Sequence, residues 1–363
     1  MINVLADRHL YQLSSFLPDT AEIQWFDSLK GIPDVNRDIH ALLVRTVTPV
    51  NARTFGELPA SLTFVGTGSA GSDHIDHAYL EQQKITVADA KGCNANAVAE
   101  YVITAILLWK EAQSLDQIGT VGVVGAGHTG SAVIRLLQKL GIEYAIYDPF
   151  LGCGSPEEVL ACPVLTFHTP LTKDGPYPTV HWLNEEKMAT STFELVINAA
   201  RGGVIDEDAL QKAQQAGSVK QVVLDVWEGE PDFNPGLAHS AFIATPHIAG
   251  YSEQAKLNAS RIICAKLSQH FGLNEYPPEQ AYERKRMQLT PPFHSLREQL
   301  SQLHPMLAYD IQLRRIANQP EKARLFTSLR VEHPYRWEYE YLDVDRNGAI
   351  QTGSALDVLL GKE

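Results

Sequence analysis

Two alternating hydrophobic patterns run along most of the chain, and each is typical of one kind of secondary structure. Short, nearly continuous apolar runs predict buried β-strands, whereas segments with apolar residues at every third or fourth position predict α-helices. The predicted strands are 1–7, 41–44, 62–65, 120–124, 144–148, 164–167, 195–198, 222–225 and 242–245, and the longest predicted helices before the C-terminal tail are 95–112, 131–140 and 252–271. Because strands that alternate with helices form parallel sheets covered on both faces, the pattern predicts an α/β fold with doubly wound parallel sheets.

The order of these elements predicts three domains. They are a discontinuous substrate domain at residues 1–92 and 252–271, a Rossmann cofactor domain at residues 93–251, and a small C-terminal α+β domain at residues 272–363. The last domain is predicted to contain a helix at 295–316 and a strand at 335–341. Alternation along that strand would place four aromatic side chains on one face, which is either a dimer interface or the core of the small domain.

Composition excludes several classes of protein. The 363 residues carry a net charge of −13, which argues against nucleic acid as a partner because nucleic-acid-binding proteins need basic surfaces. No apolar run is long enough to span a membrane, and the N-terminus lacks the basic start and cleavage site of a secretory signal. The four cysteines form no pair or cluster with zinc spacing, so reduced thiols and no metal site are expected. These features predict a cytoplasmic protein.

A glycine-rich turn follows the predicted strand at 120–124 and opens the next predicted helix. Gly125, Gly127 and Gly130 have the spacing that allows a tight turn, close approach of a pyrophosphate and close helix–strand packing. Asp148 ends the following strand, where its carboxylate can accept hydrogen bonds from ribose hydroxyls and repel a 2′-phosphate. This context predicts NAD rather than NADP as the cofactor, and the alternative is a glycine turn that binds no ligand.

Three reactive side chains, those of Arg201, Glu230 and His247, lie at the ends of apolar runs. Oxidation of a 2-hydroxy acid requires a base for the hydroxyl proton, and an imidazole titrates near neutral pH. We therefore expect His247 to act as the base, Glu230 to orient its ring, and Arg201 to clamp the substrate carboxylate. Taken singly, Arg201 could instead be a surface ion-pair partner, Glu230 a solvated acid and His247 a core imidazole.

Asp225 ends the predicted strand at 222–225. It is a candidate contact of the nicotinamide carboxamide or an anchor for its own loop.

Together these motifs resemble the D-isomer-specific 2-hydroxyacid dehydrogenases, over a segment that extends from Asn3 to Phe271. The residues that carry the resemblance are Gly125-x-Gly127-x-x-Gly130, His168-Thr169-Pro170-Leu171-Thr172, Asn198-x-x-Arg201-Gly202 and Pro246-His247-x-x-Gly250. The resemblance implies an NAD-dependent dehydrogenase with a substrate domain and a cofactor domain. It also implies cofactor contacts at Asp148, Thr169, Ala199, Ala200, Arg201, Asp225 and Gly250, and substrate contacts at Thr46, Thr67 and Tyr251.

The segment around Arg45 and the C-terminal tail are similar to one branch of this family, whose members oxidise a small phosphorylated hydroxy acid. In that branch the tail is a dimerisation domain, so the resemblance implies a homodimer through residues 272–363. Arg45, with the hydroxyls of Thr46 and Thr67, can bind a terminal phosphate, although Arg45 could instead be a buried ion-pair partner. Tyr251 either offers its hydroxyl to the substrate or packs as a ring at a helix start.

Two other functions stay open at this point. One is a different reaction of the same family, on phosphoglycerate or hydroxypyruvate, which would use the same catalytic groups. The other is an NAD-sensing corepressor built on this fold. A corepressor would need none of Arg201, Glu230 and His247, so the presence of all three favours an enzyme.

Overall fold

The computed structural model describes residues 1–33, 38–55, 58–273, 282–290, 295–332, 334–345 and 354–361. Its strands are β1 (Ile2–Asp7), β2 (Ala21–Phe26), β3 (Ala41–Val44), β4 (Phe64–Thr67), β5 (Thr86–Asp89), β6 (Val121–Val124), β7 (Tyr144–Tyr147), β8 (Val164–Phe167), β9 (Phe193–Asn198), β10 (Val219–Leu224), β11 (Ile243–Ala244), β12 (Lys285–Gln288) and β13 (Leu342–Asp345). Its α-helices are α1 (His77–Gln82), α2 (Ala95–Ala112), α3 (His128–Lys139), α4 (Pro156–Leu160), α5 (Glu185–Thr190), α6 (Glu207–Ala216), α7 (Pro235–Ser240), α8 (Glu253–His270), α9 (Leu296–Leu303), α10 (Met306–Ile316), α11 (Lys322–Val331) and α12 (Ala355–Leu359). The predicted α/β fold with parallel sheets is confirmed.

By its contacts the described chain divides into two units, and unit 1 comprises Met1–Asn94 with Glu253–Tyr282. Its parallel sheet has the strand order β2-β1-β3-β4-β5. Helix α8 lies close to β4, because a Cβ atom at Gly66 would be only 2.7 Å from the Ile263 side chain. Strands β3 and β4 pair with Val44 opposite Thr67. The residues at the carboxyl ends of these two strands are therefore neighbours at one edge of the sheet.

Unit 2 comprises Ala95–Ser252 with Glu283–Glu363. Its larger sheet is parallel with the order β11-β10-β9-β8-β6-β7. The chain passes from β6 to β7 on one side and then returns to β8 on the other side of β6. The carboxyl end of β6 is thus the point where the strand order reverses, which is where open α/β sheets bind ligands.

The C-terminal residues of unit 2 share a hydrophobic core with its larger sheet. Helix α2, which has the predicted bounds, is buried at every position from Ala97 to Trp109. Leu300, Tyr339 and Leu356 belong to the same core as α2 and β6. The tail therefore packs against α2. The helical spacing of the apolar residues in α2 predicted one buried face, and did not show that the rest of the helix is buried as well. The boundaries predicted for the three domains stay a prediction.

Two predictions about elements of the tail are wrong. Residues 295–316 form two helices, α9 and α10, because Pro305 forces the preceding His304 into an extended conformation with φ −128° and ψ 120°. Residues 335–341 form no strand, and Tyr339–Tyr341 form a 3-10 helix instead. Tyr339 is fully buried, with its hydroxyl 2.7 Å from that of Thr104. For Tyr339, the structure therefore supports the core alternative.

Candidate active site

The glycine-rich turn between β6 and α3 has no room for side chains at its tightest point and open space beside it. A Cβ atom at Gly130 would lie 1.9 Å from the carbonyl oxygen of Gly125, so the turn closes only with glycine there. At Gly127 a Cβ atom would meet no atom within 4 Å. Gly127 caps α3 without a side-chain hydrogen bond, so the first N–H groups of α3 can receive an anion.

Asp148 lies directly after β7 and is tied to the glycine turn. Its Oδ2 accepts a hydrogen bond from the N–H of Ala126 at 2.8 Å. Its Oδ1 accepts from the N–H groups of Phe150 and Leu151 at 3.0 and 3.2 Å. A carboxylate has about four acceptor positions. Asp148 therefore holds the turn in place and retains capacity for a ribose hydroxyl, whereas the sequence had indicated only the second role.

Two residues after β8 border the same turn. A Cβ atom at Gly125 would lie 3.0 Å from Cγ2 of Thr169, so Thr169 packs against the turn. The Thr169 hydroxyl is buried and has no hydrogen-bond partner in the described part of the chain. Burial lowers the pKa of His168 to about 3, which keeps that ring neutral. An open glycine, an uncapped helix N-terminus and an unpartnered buried hydroxyl are features that fit a dinucleotide such as NAD.

The loop after β9 carries Arg201 and is shaped by its neighbours. The Asn198 side chain accepts from the N–H of Ala200 at 3.1 Å and donates to the carbonyl of Arg201 at 3.0 Å. A Cβ atom at Gly202 would lie 1.9 Å from the carbonyl oxygen of Trp227. The loop can therefore approach the segment that precedes Glu230 only because residue 202 is glycine. Arg201 itself is partly exposed, and its Nη1 donates to the carbonyl of Ala200 at 2.8 Å.

Glu230 and His247 form a hydrogen-bonded pair in which Glu230 Oε1 and His247 Nδ1 are 2.5 Å apart. When Nδ1 donates to the carboxylate, Nε2 carries the lone pair that can accept a proton. Burial disfavours the charged form of Glu230, but the His247 ring and the Arg330 guanidinium outweigh this effect and hold the pKa of Glu230 below its usual value. The carboxylate is therefore ionised and suited to stabilise an imidazolium.

The backbone of His247 has a φ of 57°, in the left-handed region that non-glycine residues rarely adopt. Asp225 holds this conformation: its carbonyl accepts from the N–H of His247 at 2.7 Å. Its carboxylate is 1% exposed and accepts from the N–H groups of Ile248 and Ala249 and from the hydroxyl of Thr245. Two roles were predicted for Asp225, a contact with the nicotinamide and an anchor for its own loop, and the geometry supports the anchor.

Tyr251 follows Gly250 at the end of the loop that carries His247. Its N–H donates to the carbonyl of Ile248 at 2.9 Å. Its ring contacts the ring of Tyr335 edge to face, with centroids 6.3 Å apart. The ring of Tyr251 is therefore packed, as one of the two predicted alternatives has it. Sequence reasoning missed Tyr335 because no local pattern relates it to a loop more than eighty residues earlier.

The residues predicted to bind phosphate lie in unit 1, at the carboxyl ends of β3 and β4. Arg45 is an ion-pair partner: its Nε donates to Asp7 Oδ2 at 2.8 Å and its Nη2 to the Ser28 hydroxyl at 2.9 Å. Thr46 is exposed, whereas Thr67 is fully buried with its hydroxyl 2.8 Å from that of Ser69. Among the described residues these two bonds use Nε and Nη2 of Arg45, and Nη1 can donate to another acceptor.

Two other kinds of site, a membrane-spanning helix and a metal-binding cluster, are absent from the described residues. No helix there is both long and apolar enough to cross a membrane. No group of His, Cys, Asp or Glu side chains in those residues is arranged to hold a metal ion.

The sequence of the chain is similar to those of one group of enzymes. The family model described as "D-isomer specific 2-hydroxyacid dehydrogenase, NAD binding domain" matches residues 109–249. The chain is 34% identical over 374 residues to an erythronate-4-phosphate dehydrogenase from Marinobacter nauticus, with 96% of each protein covered. It is also 34% identical over 366 residues to an erythronate-4-phosphate dehydrogenase from Cellvibrio japonicus, with 94% of each covered.

A solved structure shares the fold. The D-lactate dehydrogenase from Aquifex aeolicus, complexed with NAD and lactic acid, matches with a TM-score of 0.59 and 23% identity. The match covers 75% of this chain and 96% of that one. Similarity at this level of identity establishes the fold alone.

Proposed function

The chain belongs to the erythronate-4-phosphate dehydrogenase family, within the D-isomer specific 2-hydroxyacid dehydrogenases, and we propose that it catalyses the reaction for which its relatives are named. This reaction is the oxidation of 4-phospho-D-erythronate by NAD to (R)-3-hydroxy-2-oxo-4-phosphooxybutanoate, a step of pyridoxal 5′-phosphate (vitamin B6) biosynthesis. The observation that carries the proposal is the Glu230–His247 pair, whose facing atoms are 2.5 Å apart. The family resemblance found in the sequence is confirmed.

The catalytic roles follow from the chemistry of the reaction. His247 Nε2 takes the proton as the O–H bond at C2 breaks, and Glu230 stabilises the imidazolium that forms. When bound, NAD supplies the acceptor for the hydride that leaves C2. Arg201 binds the substrate carboxylate and draws electron density toward the developing carbonyl oxygen. The C2 alcohol becomes a ketone, and the proton passes from His247 to solvent.

We assign the cofactor to the residues around the glycine turn. The N–H groups at Gly127 and the start of α3 suit the pyrophosphate, since that helix start is uncapped and Gly127 is open. The buried Thr169 hydroxyl gains a partner if it contacts the bound dinucleotide. Asp148 would bind the ribose. The other assigned contacts are Gly125, Gly130, Ala199, Ala200, the backbone of Arg201 and Gly250, while Asp225 anchors the loop of His247.

We assign the substrate phosphate to Arg45, Thr46 and Thr67, with Tyr251 as a further substrate contact. Arg45 supports this assignment because its bonds to Asp7 and Ser28 use Nε and Nη2 and orient the guanidinium without using Nη1. Burial opposes the charge of Asp7, but the His9 N–H and the Arg45 guanidinium prevail and lower the pKa of Asp7, so this ion pair persists near neutral pH.

Initial rates with matched substrates test the proposed reaction. The enzyme is assayed with NAD and 4-phospho-D-erythronate, D-erythronate or 3-phosphoglycerate, with a 2-oxo acid present to reoxidise retained NADH. We expect a strong preference in kcat/KM for the phosphorylated four-carbon acid. An equal or higher kcat/KM with 3-phosphoglycerate would instead favour the phosphoglycerate reaction with the same catalytic groups. No turnover with any hydroxy acid would favour the corepressor.

Two finer assignments are also proposals. We infer that the chain forms a homodimer through residues 272–363, as its family resemblance implies. We also infer that it acts in the cytoplasm, as its sequence features predict. Light scattering of the purified full chain should give twice the mass of 40.1 kDa. Deletion of the tail is no test of the dimer, because tail residues also complete the core around α2.

A further inference from the structure

Helix α11 of the tail lies against the segment that carries Glu230. Lys322 donates to the carbonyl of Phe233 at 2.7 Å and pairs with Asp232 at 2.9 Å. One turn later, the fully buried Phe326 ring lies 5.6 Å from the Phe233 ring. Phe233 in turn packs on Trp227, with centroids 5.4 Å apart. The segment between Trp227 and Phe233 is therefore held at both ends by this packing.

The same face of α11 brings a charge toward Glu230. Lys322, Phe326 and Arg330 are spaced four residues apart, so they lie on one face of the helix. Arg330 is partly exposed, but its Nε is buried and has no hydrogen-bond partner among the described residues. Glu230 Oε2, the oxygen that His247 does not use, is likewise buried and unpartnered. The Arg330 guanidinium acts electrostatically on this carboxylate.

The chain that follows α11 reaches the other catalytic loop. Tyr335 packs on Tyr251, and Arg336 forms a parallel bridge with Ser252. The Ser252 hydroxyl donates to Glu338 Oε1 at 2.6 Å. Arg330 therefore belongs to a segment that is anchored beside both Glu230 and the loop of His247, which makes its position well defined.

We propose that Arg330 is a positioning residue for the Glu230–His247 pair, because α11 packs against the segment of Glu230 and presents the Arg330 charge on the same face. The proposal rests on the proposed function, in which His247 is the base. Arg330 acts through Glu230 and needs no contact with the substrate.

The charges around the pair determine in which direction loss of Arg330 changes its protonation. His247 and Arg330 stabilise the charged form of Glu230, whereas Glu207 and Glu230 repel each other, and Asp225 and His247 attract each other. Arg330 is the lasting positive charge in this group, because His247 is cationic only when protonated. Loss of Arg330 makes protonation of the pair easier. The form in which His247 accepts the substrate proton then appears at higher pH.

The test compares Arg330→Gln, Arg330→Lys and Arg324→Gln. Arg324 is a matched control on the same helix, where it is exposed and pairs only with Glu321 in the described residues. We expect Arg330→Gln to move the acid limb of kcat/KM to higher pH by about 0.5–1 unit and to lower kcat about tenfold. Arg330→Lys keeps the positive charge and should leave the acid limb close to its wild-type position, and Arg324→Gln should cause no shift. Circular dichroism establishes that each variant is folded, and Arg330→Met replaces the Gln variant if that one is not.

A second readout separates this proposal from the proposed reaction. The ring resonance of His247, assigned by its loss in His247→Asn, is titrated by NMR in the protein without substrate. Its transition should move to higher pH in Arg330→Gln and remain near the wild-type position in Arg330→Lys. An unmoved transition in a folded Arg330→Gln protein would overturn the role of Arg330 even if turnover is normal. Absence of turnover in the wild type, with the shift present, would overturn only the reaction.

Discussion

Asp225 holds His247 in a left-handed backbone conformation. The Asp225 carbonyl accepts from the His247 N–H at 2.7 Å, while the Asp225 carboxylate accepts from the next two N–H groups at 2.8 and 2.9 Å. Such a φ costs about 1–3 kcal/mol for a side chain such as histidine, and it persists because the surrounding hydrogen bonds over-determine it. Placement of the base therefore depends on a carboxylate that need not touch the substrate.

Replacement of Asp225 by Asn should remove part of the hydrogen bonding that holds the loop of His247. An amide keeps one acceptor oxygen, so one of the buried donors at Thr245, Ile248 and Ala249 loses its partner. We expect a loss of about 1–3 kcal/mol in the free energy of unfolding, measured by urea titration, together with a fall in kcat. Unchanged stability and unchanged kcat would show that the loop keeps its shape without this carboxylate.

Removal of the catalytic side chains should abolish turnover without loss of the cofactor. His247→Ala and Arg201→Ala should each lower kcat by about 10²–10⁴-fold, since the proton acceptor or the carboxylate clamp is missing. NAD binding, measured by fluorescence titration, should be retained in both. His239→Ala, at an exposed position in the same unit, is the control and should behave as wild type. Retained turnover in either active-site variant would refute its assigned role.

The two glycines of the turn should respond differently to alanine. At Gly130 the added Cβ would meet a backbone oxygen at 1.9 Å, so Gly130→Ala should destabilise the fold by about 2 kcal/mol or more. Gly127→Ala meets no protein atom and should fold normally, but it should weaken NAD binding about tenfold because the methyl group occupies the space assigned to the pyrophosphate. Calorimetry gives both quantities. Wild-type affinity in Gly127→Ala would mean that the pyrophosphate lies elsewhere.

Glu207 should make stability depend on pH. Its Oε1 accepts from the N–H of Glu228 at 2.6 Å, yet burial raises the pKa of Glu207 to about 7 from a usual value of 4.5. Between these values the folded protein holds a proton that the unfolded chain releases, so the free energy of unfolding should fall as pH rises through this interval. Glu207→Gln should flatten that part of the profile.

Urea unfolding at several pH values between these limits measures the slope. Glu186→Gln, at an exposed position on α5, is the control and should leave the slope nearly unchanged. A wild-type slope in Glu207→Gln would show that Glu207 is ionised in the folded protein throughout this range.

The sequence by itself determined the class of fold and the positions of the six strands of the larger sheet, whereas β2 and β5 of the other sheet were not predicted. Helix α2 has the predicted bounds, and the short apolar runs at β3, β6 and β8 are buried strands. The spacing of Gly125, Gly127 and Gly130 also indicated a cofactor turn, and the structure accounts for Gly130 by its contact with Gly125. These features are readable because helix and strand periodicity, and the steric limits of a turn, depend on residues close together in the chain.

Tertiary structure alone decided which side chains meet. Asp7 pairs with Arg45, Asp225 anchors the loop of His247, and Glu230 pairs with His247. The same holds for α2, which is buried on all sides because the tail packs against it. The alternation at 335–341 predicted a strand, but Tyr339 is buried beside Thr104 and begins a 3-10 helix. Local periodicity describes one element at a time, whereas these contacts depend on how distant elements pack together.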